Sequence, residues 1–259
     1  MQRSRFPLVL TLGVLIFLYL PIIVLVITSF NESRFGGAWT GFSLKWYGRL
    51  FQERAIWNAL SNSLIIACSS TLISTLLGST AAFALYRYKT TLQKAHYALI
   101  YSPLIIPDIL MGISLLLFFV SINMQLGLFT VFIAHTTFCV SYVTMVLLSR
   151  LHNFDFSVVE AAQDLGADWW IILRRIMIPL MAPSILSGAL LAFTLSIDDF
   201  VITFFVAGPG STTLPIYVYG MIKFGSTPII NALSAILLVL TFAIVWLTQT
   251  LAKEKPQTS

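Results

Sequence analysis

Six hydrophobic runs, each long enough to cross a bilayer, leave this chain few folds to choose from. A span needs about 20 apolar residues. Such runs occupy Leu8–Ser29, Ala59–Leu85, Ala98–Ser121, Leu126–Ser149, Leu180–Ala207 and Ile230–Leu251. The fifth is interrupted by polar residues and is the least regular. Only 10% of the 259 residues are charged, well under the roughly one quarter of a soluble domain. Mean hydropathy is +0.91. The expected fold is an all-α membrane protein with six transmembrane helices, forming one membrane-embedded domain over residues 1–259.

Arg3 and Arg5 precede the first run, as they would in a secretion signal. That run is too long for a signal core, and TSFNESRF after it offers no small-x-small cleavage site, so it is taken as a retained span. An even number of spans puts both termini on one side. Ten basic residues share that side: Arg3, Arg5, Arg87, Lys89, Lys94, Arg150, Arg174, Arg175, Lys253 and Lys255. Five lie on the other: Arg34, Lys45, Arg49, Arg54 and Lys223. The positive-inside rule then makes both termini cytoplasmic. The same bias accounts for the net charge of +5 without a nucleic-acid partner.

Cys68 and Cys139 fall within spans and suit packing better than a disulfide. His96, His135 and His152 are scattered, without the clustering of a metal site, so neither metal nor cofactor is expected. The first outward loop, Asn31–Trp57, contains GFSLKWYGRLF. Its rings, Trp39, Trp46, Tyr47 and Trp57, suit the membrane interface. Two readings stand for Trp46: an interfacial anchor, or a lining residue that meets substrate. The second outward loop, Gly208–Pro228, has turn signals in GPGS and TLP and an aromatic run that can fold back against the membrane.

One stretch breaks the apolar pattern. EAAQDLGADWWIILRRIMIP, Glu160–Pro179, lies in the loop of residues 150–179 between the fourth and fifth spans. Ser157 and Glu160 have capping-box spacing, so a helix is expected to start there. Val158, Ala161, Ala162 and Leu165 share one face of it. Gly166 suits a left-handed terminator. Asp168 suits the cap of a second helix, Trp169–Met177, with Arg174 and Arg175 near its C-terminal end. Pro179 is expected to close the unit. The physics allows a docking element on the cytoplasmic face, or an amphipathic loop lying on headgroups.

Glu160, Ala161, Ala162, Gly166, Ile176 and Pro179 stand at the offsets of the EAA loop of bacterial ABC-importer permeases. The chain departs from that pattern at Ile178, where the family favours Leu. YLPIIVLVITSFNESRF, SPLIIPDILMGISLLLFF, AFTLSIDDFVITFFVAGPG and TPIINALSAILL resemble the spermidine/putrescine permeases, the PotC-like branch of the binding-protein-dependent inner membrane components. The likeness runs from about Phe6 to Ala252. It implies the type I importer fold, an EAA coupling helix seated in a nucleotide-binding subunit, and location in the bacterial inner membrane. It also implies partners: an ABC ATPase dimer, a second, PotB-like permease and a periplasmic polyamine-binding protein. The chain has no GxxxxGK[ST] phosphate loop, so ATP hydrolysis must come from another subunit.

Asp108, Asp198 and Asp199 lie within or at the ends of spans, with no Lys or Arg inside any span. An Asp at a helix centre costs roughly 2.5–3.5 kcal/mol on insertion scales. Such residues face a water-filled path or the protein interior. One reading is a carboxylate path for an extended organic cation, with cation–π help from Tyr19, Phe200 and Tyr217. The other is structural: Asp108 capping the helix from Ile109, and the Asp198–Asp199 pair satisfied by amides at a break in the fifth span. A permease for iron, thiamine or sulfate shares the architecture, though an aspartate pair disfavours an anion. A stand-alone secondary transporter has no reason to keep the EAA spacing. An intramembrane aspartyl protease is excluded by Pro107 before Asp108 and Ile197 before Asp198, where its motifs require Tyr-Asp and Gly-x-Gly-Asp.

Overall fold

The computed structural model describes residues 6–33, 38–88, 91–224 and 228–253. Arg3, Arg5, Arg34, Lys89 and Lys255, used above to orient the chain, lie outside the described residues. Among those described, secondary structure is helical apart from one isolated bridge, Asn31 to Phe42. The helices are α1 (Phe6–Ser29), α2 (Lys45–Gln52), α3 (Arg54–Arg87), α4 (Gln93–Ile105), α5 (Asp108–Ser121) and α6 (Leu128–His152). Then come α7 (Ser157–Asp164) and α8 (Trp169–Ile172), a π turn (Leu173–Met177), and α9 (Ile178–Asp198). The last three are α10 (Val201–Val206), α11 (Leu214–Lys223) and α12 (Ile229–Lys253).

Among the described residues, four helical runs are long and apolar enough to cross a membrane: Pro7–Ser29, Arg54–Arg87, Leu128–His152 and Trp169–Asp198. The third expected span, Ala98–Ser121, is not one straight helix. α4 and α5 meet at 113° and make a fifth crossing only when taken together. Proline supplies the cause. Pro107 has no N–H to extend the ladder, and the residue before a proline is driven to extended backbone. Ile106 duly sits at φ −72°, ψ 129°. At the far end of the sequence, the apolar stretch Ile229–Ala243 of α12 is shorter than a full span.

The expected ending at Pro179 is also corrected. The second loop helix does not stop at Met177. It continues from Trp169 through the π turn into α9, with Pro179 in the first turn of α9. Proline's missing N–H and its ring disturb the turn just before it, and the widened turn absorbs that disturbance. Arg174 and Arg175 consequently lie within a continuing helix, not at a C-terminus.

The chain divides into two compact units, Met1–Ile56 with Val218–Ser259, and Trp57–Tyr217. In the first, α12 packs against α1 and α2. Asn31 organises the link between α1 and α2. Its Nδ2 donates to the Ala38 carbonyl at 2.9 Å, and its Oδ1 accepts the Ser33 and Thr40 amides. Trp46 is 1% exposed and donates its indole N–H to the Asn31 carbonyl at 2.8 Å. Lys45 and Arg49 lie over its ring. Phe17, Ile16 and Leu10 of α1 stay exposed, as befits a surface whose solvent is lipid.

The second unit is built around α6. α9 packs along it, and α5 with α10, and α4, pack beside it. Phe119, Val131, Ala134, Cys139, Val143 and Ala192 are among the fully enclosed residues of the core. Small residues allow close approach, the usual device where lipid removes the hydrophobic drive between helices. A β-carbon on Gly78 would stand 2.8 Å from that of Val143. Cys139 is buried and Cys68 exposed, and both are free thiols. The Gly208 loop is tied to α3: Asn62 Nδ2 donates to the carbonyls of Gly210 and Thr212, each at 3.0 Å, and Ser63 Oγ accepts the Leu214 amide at 2.8 Å.

Candidate functional site

Two features of the Trp57–Tyr217 unit carry chemistry. The first is the helix–turn–helix formed by α7 and α8. α7 starts at Ser157, as expected, but Ser157 is not its cap. Asp155 takes that part: its Oδ1 accepts the Ser157 amide at 3.0 Å. Hydrogen bonding from Ser157, side chain first and then backbone, holds the Asp155 carboxyl below its ordinary value of 3.8. At the other end, Gly166 adopts φ +79°. Its amide donates to Gln163 at 2.8 Å, and that of Ala167 to Ala162 at 2.9 Å, the paired bonds of a Schellman termination. Asp168 caps α8, its Oδ2 accepting the Trp170 amide at 3.3 Å.

The helical face is rotated from the expected one. Val159 and Ala162 turn inward, against Ile172 and Met177. Ala161, Val158 and Leu165 stay exposed, Leu165 at 89%. Glu160 is exposed and Ile176 half-buried. The unit is held to α3 by rings: Phe83 lies 5.8 Å from Trp169, and Tyr86 stacks on Phe156 at 5.0 Å. A cavity of about 630 Å³ beside them is lined by Arg87, His152, Glu160 and Gln163 among others.

The second feature is the aspartate cluster. Asp108, Asp198 and Asp199 line one cavity of about 300 Å³, with Phe138, Tyr142 and Phe200. The two backbone breaks bring them together. Asp108 opens α5 just past the Pro107 bend, and Asp198 ends α9, one residue before Asp199 and the short gap to α10. Asp108 does not cap: Leu110 and Met111 take their first-turn bonds from the Pro107 carbonyl. Among the described residues, neither Asp108 nor Asp198 has a hydrogen-bond or ion-pair partner.

Asp199 is different. Its Oδ2 accepts the Thr203 amide at 2.8 Å and the Thr203 hydroxyl at 2.6 Å, and its Oδ1 accepts the Ile202 amide at 3.3 Å. It therefore caps α10, as the structural reading of the pair anticipated. It also has a partner that the search for Lys and Arg missed: His135 Nε2 stands 3.3 Å from Oδ2. The signal was available, since a histidine in mid-span is itself a costly group in need of a partner. Tyr19 is exposed on α1, in the other unit, where Trp46 is enclosed.

The fold is thus an all-helical membrane protein whose broken helices meet at a carboxylate-lined cavity, with a capped helix–turn–helix inserted between two long apolar helices. The model of the family "Binding-protein-dependent transport system inner membrane component" matches residues 74–254, and the chain belongs to that family. It is a permease subunit of an ABC importer in the inner membrane, not the ATPase.

Among its relatives is the spermidine/putrescine transport system permease protein PotC of Escherichia coli K12, 43% identical over 239 residues, 92% of this chain and 90% of that protein. PotC of Haemophilus influenzae is 42% identical over 238 residues, covering 92% and 93%. The putrescine transport system permease protein PotI of E. coli K12 is 42% identical over 243 residues, covering 91% and 86%. A bacterial ABC transporter involved in the import of the acidic polysaccharide alginate shares the fold, with TM-score 0.72 at 17% identity over 99% of both chains. The MetNI methionine ABC transporter is similar at TM-score 0.59 and 16% identity, covering 75% and 91%.

Proposed function

We propose that this chain is the PotC-like permease of a polyamine importer. Its substrates are spermidine, putrescine or both, and it forms the translocation path with a second, PotB-like permease. Identity of 42–43% to polyamine permeases over nine-tenths of the chain carries the reading. Three carboxylates on one cavity supply its chemistry. A polyamine carries two or more ammonium groups, and carboxylates set along a path exchange them in turn without one site holding the cation too tightly for release. Asp108 and Asp198 offer free carboxylates and Asp199 a shared one. Tyr19 offers an exposed ring for cation–π contact, whereas the enclosed ring of Trp46 serves the path by holding its own unit together.

The chain acts as one permease domain with six spans and both termini in the cytoplasm. The segment carrying Glu160, Ala161, Ala162, Gly166, Ile176 and Pro179 is the EAA coupling helix and seats in one subunit of an ATPase dimer. Its apolar stripe of Val158, Ala161 and Leu165 is free to meet such a surface. A periplasmic polyamine-binding protein delivers substrate from the opposite side.

Uptake tests this reading. The chain is expressed with its own ATPase, second permease and binding protein in cells lacking polyamine import. ATP-dependent accumulation of labelled putrescine or spermidine is expected. Accumulation of labelled thiamine, iron or sulfate instead would sink it. Reporters fused after Arg87 and within Asp155–Arg175 should register cytoplasm, and one within Glu32–Glu53 periplasm.

A further inference from the structure

His135 is completely buried on α6 and touches both sides of the break in the fifth span. Its Nδ1 pairs with Ser196 Oγ at 2.7 Å, before the break, and its Nε2 with Thr203 Oγ1 at 2.8 Å, after it. Asp199, at the break itself, lies 3.3 Å from the same Nε2. Behind Ser196, Ser70 Oγ of α3 stands at 3.0 Å. One imidazole thus joins elements of α3, α6, α9 and α10.

The donors and acceptors around the imidazole are mutually consistent. Thr203 gives its hydroxyl proton to Asp199 Oδ2, which frees its oxygen to accept from an Nε2–H of His135. In that neutral tautomer Nδ1 accepts, so Ser196 donates to His135, and the one hydroxyl proton of Ser70 is shared between Ser196 Oγ at 3.0 Å and the Ala67 carbonyl at 3.3 Å. A carboxylate held this way is fixed in place at the cavity wall. Asp198, its neighbour, is left exposed and unpaired beside Asp108.

We infer that His135 is a positioning residue: it staples Ser196 to Thr203 across the break, commits Asp199 to the cap of α10, and so sets where Asp198 stands in the cavity. Ligand selectivity then depends on a residue that never meets the ligand. Between the two helix ends lie only Asp199 and Phe200, and within this segment the bonds from Asp199 run only forward, to Ile202 and Thr203. The imidazole adds a tie back to α9 through Ser196, from a separate helix. This rests on the polyamine reading only where uptake is the measurement.

The test uses the assembled importer in proteoliposomes. Asp198→Cys in a Cys68→Ser background leaves this chain one accessible thiol, since Cys139 is buried, and its labelling is read on this chain after separation from the other subunits. Its reaction rate with a cationic methanethiosulfonate is compared with His135 intact, His135→Gln and His135→Leu. Separately, with Asp198 intact, KM and maximal rate for putrescine and spermidine are measured in the same His135 variants. Gln keeps an N–H donor for Thr203 and Asp199, and Leu keeps only volume. His135→Leu should change the labelling rate and raise KM by about tenfold each, the scale seen when an orienting partner behind a binding group is lost. His135→Gln should restore both to within about twofold. Labelling involves no polyamine, so a labelling shift without polyamine transport in the parent importer would reject the substrate and keep the staple. Unchanged labelling in His135→Leu, or equal defects in Leu and Gln, would overturn it. Should His135→Leu fail to reach the membrane, Thr203→Val carries the same expected labelling shift, and wild-type labelling there would overturn it.

Discussion

The amide of Ala167 donates to the carbonyl of Ala162 at 2.9 Å, five residues back and across Gly166 at φ +79°. That bond turns α7 into α8. A β-carbon added at Gly166 would meet nothing within 4 Å, so the demand for glycine comes from the backbone alone. A left-handed conformation costs an ordinary residue about 1–2 kcal/mol, and asparagine less. Gly166→Val should reach the membrane normally yet lose most ATPase on co-purification and most uptake. Gly166→Asn should retain both. Matching losses in the two variants would place the requirement elsewhere than φ.

Ala161 and Ala162 are adjacent but should fail differently. Ala162 is 9% exposed, packed with Val159, Ile172 and Met177, and enlarging a packed site costs about 1–3 kcal/mol. Ala161 faces outward. Ala162→Leu should therefore lower the melting temperature of the purified permease. Ala161→Leu should leave melting unchanged and reduce only ATPase retention. A melting defect in Ala161→Leu would contradict the orientation of α7.

Asp198→Asn preserves shape and removes charge at an unpaired carboxylate. Uptake should fall about tenfold or more with expression and assembly intact, the loss of one charged contact being worth roughly 1.4 kcal/mol or above. Asp108→Asn should have a smaller effect on uptake. Kinetic measurement with matched membrane levels decides this. Wild-type uptake in both variants would leave the cavity without a part in cation transfer.

Asp155 yields a pH dependence whose sign follows from its lowered folded value. A carboxyl bound more tightly as the anion in the fold stabilises it above the ordinary 3.8, and that contribution vanishes as pH falls through the lower folded value. Asp155→Ala should thus melt below wild type at neutral pH, and the gap should close in strong acid, below the ordinary 3.8. A gap that persists there would mean that the anion is not what caps α7.

Patterns of local sequence were legible; geometry made between distant segments was not. The Gly166 turn and the Asp168 cap follow from one residue type at one position, and both stand in the structure. The Ser157 cap failed because Asp155, two residues earlier, offers a better acceptor. Hydropathy blended α4 with α5, because window averages register apolar content and not the 113° bend at Pro107. The aspartates were identifiable as costly groups, yet the pairing of Asp199 with His135 joins residues 64 positions apart in the chain, a proximity that no periodicity encodes.

The helical run from Trp169 to Asp198 has 30 residues. At 1.5 Å per residue it is about 45 Å long, and no loop interrupts it. One end is capped by Asp168 beside Gly166; the other is a cavity carboxylate. It is a connecting rod. Between Trp169 and Asp198 the ladder is disturbed at two places, the π turn at Leu173–Met177 and Pro183 within α9. If the loop docks as proposed, force and charge are carried by one piece of backbone, and a stroke at the loop would relocate a negative charge at the other end without any relay of side chains between them.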